Sequence, residues 1–114
     1  MAFGKFSQAT RDAIVKRANG RCEICGMRIE NRQVHHRQPR GMGGSRGAEI
    51  SSASNGLLLD PLCHSMVEGD RKRAYMMGWL VRRGIQPHSR EVLLWDGWFV
   101  LTADGGRLPL EPDG

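Results

Sequence analysis

Cys22-x-x-Cys25 and, about 35 residues further on, Asp60-x-x-Cys63 constrain this chain more than any other feature. Two knuckles of this form can set four ligands tetrahedrally around one metal ion, which requires two distant segments to meet. One corner is a carboxylate, an acceptable zinc ligand though harder than thiolate. Three arrangements are open. Zinc is held by Cys22, Cys25, Cys63 and Asp60; or zinc takes a different fourth ligand; or there is no zinc, Asp60 caps a helix, and the cysteines are small buried hydrophobes. Three cysteines cannot all pair, which argues against a disulfide framework. Met1 to Phe6 lack the apolar stretch of a signal peptide, and no run of about 18 apolar residues could cross a membrane. A cytoplasmic, reducing location is therefore expected.

The length of 114 residues suits about one domain. Apolar residues are 39% of the chain and glycines number 15, so the core must be modest and a metal staple would help it. The net charge is +5, but its distribution says more. Residues 1–90 carry 16 basic and 7 acidic side chains, whereas residues 91–114 carry 1 and 5. Of the 17 cations, 14 are Arg, whose planar fork matches phosphate oxygens. A basic body of this kind suits a polyanion, nucleic acid first among them.

Local signals divide the chain. Residues 7–19 read as a helix capped by Ser7 or Thr10 and stopped at Gly20. Residues 21–36 read as two short strands around the first knuckle. Residues 37–48 hold four glycines, three arginines and no acid, and read as a long loop. Leu57-Leu58-Leu59 is a brief buried segment. Asp60-Pro61 starts a short helix carrying Cys63, His64 and Glu68. Asp70 caps a second helix over 71–83, ending at Gly84. Val92–Trp95 and Trp98–Thr102 flank Asp96-Gly97 as a hairpin, with Trp95 opposite Trp98. Both hairpin strands are apolar on both faces, so a second surface must cover them, a protein partner being one candidate. Residues 104–114 read as loose.

The histidines add a second constellation. His35 and His36 are strand neighbours and so point to opposite faces. His64 and Glu68 are four apart and share a helix face, a spacing that suits two ligands of one ion. Cys63 and His64 lie about 100° apart on that helix, so one can face a structural metal and the other a second site. His88, between Pro87 and Ser89, reads as an ordinary surface residue.

Val34-His35-His36-Arg37, then Asn55, then Leu59-Asp60-Pro61-Leu62-Cys63-His64 resembles an HNH endonuclease of the ββα-metal type. The Cys22-x-x-Cys25 knuckle is similar to that of the zinc-bearing members. The resemblance covers about residues 20–70 and extends loosely through the tail, which is similar to small proteins of phages and prophages of actinobacteria. It implies a small α+β fold. Residues 1–20 would form a helical arm and 21–70 the ββα-metal core. Residues 71–114 would add a helix and a C-terminal hairpin, packed in the same domain.

It further implies a hydrolase that cuts phosphodiester bonds of double-stranded DNA, by nicking or double-strand cleavage, leaving 5′ phosphate and 3′ hydroxyl ends. His36 would be the general base, Asn55 the brace of the loop carrying it, and His35 and His64 ligands of one catalytic divalent cation (Mg, Mn, Ni or Zn). Glu68 stands where many members have His and would favour harder metals. Asp60 replaces the first Cys of the second knuckle, the departure that bears on the structural zinc. Arg37, beside the base, could add charge to the transition state. Arg40 and Arg46 could clamp neighbouring phosphates, with Arg71 and Arg73 tracking the backbone. An imidazole with pKa near 6.5 is well matched to take a proton from water at neutral pH. The competing expectation is a zinc-knuckle module that binds DNA without catalysis, or a docking subunit of a phage DNA-processing machine. Any phage-encoded form would work in the host cytoplasm.

Overall fold

The structure, a computed structural model, describes residues 6–39 and 51–110. Helix α1 spans Gln8–Ala18 and begins where Ser7 Oγ accepts from Thr10 N at 3.1 Å. Its end is set by Asn19, in the left-handed region at φ 55°, followed by Gly20 at φ 69°. Lys16 and Arg17 in the last turn complement the negative end of the helix. Ile14 and Ala18 are its buried face.

The first knuckle follows. Arg21 bridges Arg28 in antiparallel fashion, and Cys22 N donates to Met27 O at 2.8 Å. Only this bridge represents the first of the two strands expected over 21–36. Strand β1 is Gln33–His36 and strand β2 is Gly56–Leu59, antiparallel, with His35 opposite Leu57 and His36 opposite Gly56. A short 3-10 turn, Ala53–Asn55, leads into β2. Helix α2, Pro61–Gly69, completes the ββα unit; Asp60 caps it and Pro61 opens it.

All of β2 is buried, and its alternation explains the leucine triplet. Leu57 and Leu59 join Cys22, Val67, Ala74, Trp79, Leu80, Val92 and Leu101 in the larger core. Leu58, pointing the other way, joins Phe6, Ile14, Ala18 and Ala53 in the smaller one.

Helix α3 is shorter than the periodicity predicts. It runs Arg71–Met77, with Asp70 accepting from Arg73 N, and stops at Gly78 rather than Gly84. Gly78 has φ 79°, and a Cβ there would lie 1.9 Å from the Glu91 carbonyl oxygen. The close approach of residue 91 ends the helix, and the chain bends at Trp79 and Leu80 so that Trp79, Leu80 and Val81 are buried.

The tail is a three-stranded antiparallel sheet: β3 Val92–Leu94, β4 Gly97–Leu101 and β5 Arg107–Pro109. Two expectations are corrected here. Trp98 faces Leu93, not Trp95, because Leu94 pairs with Gly97 and leaves Trp95-Asp96 as the turn. Residues 107–109 form a strand on β4, with Arg107 Nη2 bonded to Asp96 Oδ2 at 2.7 Å. Val92, Leu94, Phe99 and Leu101 turn inward, while Trp98 and Leu108 are exposed. Residues 111–114 lie outside the described residues. No helix among the described residues is long and apolar enough to cross a membrane.

Candidate metal centres and the cleft beside them

The folded chain brings together both ligand sets expected from the sequence. Cys22, Cys25, Asp60 and Cys63 place one ligand atom each within 4.8 Å of all the others. Asp60 does two things at once. Its Oδ1 accepts from Cys63 N at 2.7 Å and starts α2. Its Oδ2 faces Cys25 Sγ at 3.1 Å. Cap and fourth corner are therefore not alternatives, because a carboxylate has an oxygen for each. The Cys63 backbone N–H holds the Asp60 carboxyl below its ordinary range. Burial raises the Cys25 and Cys63 thiols, and the neighbouring thiols add to this. A cation among them would reverse that penalty and favour thiolates. This donor set suits a metal ion such as zinc.

The second set is His35 from β1 with His64 and Glu68 from α2, again within 4.8 Å of one another. His35 is buried, and its Nε2 lies 2.9 Å from the Trp79 carbonyl oxygen. A carbonyl only accepts, so Nε2 carries the proton and Nδ1 the lone pair. That Nδ1 is 4.0 Å from Glu68 Oε1. Burial lowers the His35 pKa to about 4, with the backbone bond to Trp79 opposing it, so the ring is neutral at physiological pH and its Nδ1 lone pair could serve a metal. His64 Nδ1 donates to Gln33 Oε1 at 2.5 Å, which leaves the lone pair on its Nε2. The two imidazoles meet edge to face, centroids 5.2 Å apart. Glu68 Oε2 accepts from Arg71 Nη1 at 2.8 Å.

His36 projects from the other face of β1. Its ring stacks on Phe6, centroids 4.1 Å apart and planes 17° from parallel. His35, His36, His64 and Glu68 nonetheless border one cleft of about 630 Å³, which Arg71, Tyr75 and Arg83 also line. The chain after His36 is pinned by Asn55, whose Oδ1 accepts from Gln38 N at 2.7 Å and whose Nδ2 donates to Gln38 O at 3.1 Å.

Arg37 departs from its expected role. It is fully buried, away from the cleft. Its guanidinium donates to the carbonyls of Gly78, Ser54, Pro87 and Arg90, at 2.8 to 3.0 Å. Burial lowers its pKa to about 9, leaving it charged at neutral pH. A group satisfying four backbone acceptors is a structural hub and has no N–H turned toward a substrate in the cleft. Arg71 reaches the cleft, whereas Arg73 is exposed on α3 and does not line it. Arg40 and Arg46 lie outside the described residues. His88 is exposed, as expected.

Two supporting groups escaped the sequence reading, Gln33 and the Trp79 carbonyl. Gln33 was within reach of it, since position i−2 in a strand shares the face of His35. The Trp79 carbonyl was not, because a chain bend beyond α3 delivers it. Comparisons with protein-family models, curated sequences and solved structures give no match.

Proposed function

We propose that this protein is a metal-dependent DNA endonuclease of the HNH type. The observation that carries the reading is the shared cleft. Two imidazoles and a carboxylate converge on one face of its floor, and a third imidazole borders it from the neighbouring strand position. A divalent cation held by His35, His64 and Glu68 would neutralise charge on the scissile phosphate and on the departing 3′ oxygen. His36 takes the proton of the attacking water at a ring nitrogen. Phe6 fixes the plane of that ring by stacking, and Asn55 fixes the backbone that follows it. Gln33 and the Trp79 carbonyl select the tautomers of His64 and His35. Zinc held by the three cysteines and Asp60 would tie the first knuckle to the start of α2.

A second reading, a docking subunit without catalysis, draws support from the outward face of the tail sheet, where Trp98 and Leu108 are exposed. A binding module has no use for a proton acceptor beside a metal-ligand set, which favours catalysis. The test is supercoiled plasmid incubated with Mg²⁺, Mn²⁺ or Ni²⁺. Wild type should relax or linearise it, and EDTA or His36→Ala should abolish this. Intact plasmid under every metal defeats the nuclease reading; undiminished cutting by His36→Ala defeats the assignment of the base.

A further inference from the structure

Arginine abundance is not the same as free positive charge in this fold. Arg37 is committed to four carbonyls. Arg17 is committed to Glu23 and to the Ala53 and Gly56 carbonyls. Arg90 bonds the Tyr75 and Met76 carbonyls, and Arg107 pairs with Asp96. Arg71, at the cleft itself, pairs with Glu68. A long polyanion therefore finds little uncommitted charge among these residues and needs it elsewhere.

A groove of about 400 Å³ lies between α1 and β1, edged by Arg11, Lys16 and Arg32 and floored by Val15, Val34 and Leu58. All three cations are exposed and none forms an ion pair among the described residues; Arg32 Nε makes one exposed hydrogen bond, to the Ile29 carbonyl at 3.4 Å. The one acid on its wall, Asp12, accepts from Gln8 Nε2 at 2.8 Å. Arg28 converges on the same end of α1. Its Nη1 and the Arg32 Nη2 lie 3.8 and 3.2 Å from the position a Cβ on Gly20 would take. The negative end of α1 offsets part of their repulsion, and a phosphate would offset more.

The groove and the cleft meet at one residue of β1. Val34 lines both. It shares a face of β1 with His36, whereas Gln33 and His35 take the other face. Among the described residues β1 pairs only with β2. We propose that the α1–β1 groove is a second phosphate-backbone contact, holding duplex DNA beside the cleft through Arg11, Lys16 and Arg32. The choice of DNA rests on the nuclease reading above.

The test is salt-dependent binding of a labelled duplex, followed by fluorescence anisotropy in EDTA, with plasmid cutting measured in parallel. For the full chain carrying R11A, K16A and R32A, affinity at low salt should fall at least tenfold. The slope of log K against log salt should shrink by roughly 2 to 3, about 0.9 per lost phosphate contact. The charge-preserving pair R11K and R32K should keep the wild-type slope. An unchanged slope in the triple variant, with wild type still binding and cutting, overturns the groove and leaves the nuclease standing. A reduced slope with no cutting under any metal supports the groove and overturns the nuclease. Wild type that neither binds nor cuts overturns both.

Discussion

Gly56 stands directly opposite His36 in the β1–β2 ladder, and its missing side chain makes room for the ring that stacks on that histidine. A Cβ on Gly56 would lie 2.4 Å from Ile14 Cδ1 and 3.1 Å from Phe6 Cζ. The backbone there has φ −111°, so the demand is for space and not for conformation. Gly56→Ala should therefore overpack the junction of α1, Phe6 and β2 and cost about 1–3 kcal/mol. Urea unfolding measures this. A variant as stable as wild type would show that Ile14 and Phe6 can yield.

Asp60 allows cap and ligand to be separated. Asp60→Asn keeps an oxygen for the Cys63 N–H but removes the negative charge facing the thiols. Metal retention against a competing chelator should fall, with the metal-free stability little changed. Asp60→Cys should do the reverse, retaining zinc more tightly while losing about 1 kcal/mol of capping. Equal metal content in all three proteins would leave Asp60 as a cap alone.

Arg37→Met should lower stability by at least about 3 kcal/mol, because four backbone carbonyls, three of them in buried hydrogen bonds, lose their donor together. Arg37→Lys should recover only part of this, since an ammonium cannot span four acceptors in a plane. Chemical denaturation of the two variants decides it, and a loss under about 1 kcal/mol would contradict the hub.

Acid should expose His35. Its folded pKa is drawn down to about 4 from an ordinary value of 6.5. The unfolded chain therefore takes up this proton first as pH falls. The stabilisation is complete above about pH 6.5 and is lost progressively toward pH 4, a change of about 3 kcal/mol. His35→Gln keeps an N–H for the Trp79 carbonyl but cannot titrate, so its stability should be flatter across that window. Parallel pH profiles for wild type and variant would refute the assignment.

Glu68 should set metal preference. Glu68→Ala removes the one hard ligand of the second set and should depress Mg²⁺-supported cutting more than Ni²⁺-supported cutting, as seen by plasmid relaxation in each metal.

What the sequence determined by itself was whatever depends on short-range backbone geometry. The caps at Ser7, Asp60 and Asp70, the divergence of His35 from His36, the shared face of His64 and Glu68, and the two-knuckle ligand set all follow from strand and helix periods. Tertiary structure decided the rest. Gly78 ends α3 because residue 91 approaches from elsewhere in the chain, a contact that apolar periodicity cannot encode. β5 forms because β4 offers it an edge, and the hairpin register moved by one residue to seat Val92, Leu94, Phe99 and Leu101 in the core. The fate of each arginine was settled the same way. Arg37 sits next to the proposed base in sequence, yet three of its four acceptors lie more than 40 residues away, and they draw its side chain inward. Charge is a property of composition, but whether a cation is free depends on which carbonyls and carboxylates the fold brings within hydrogen-bonding reach.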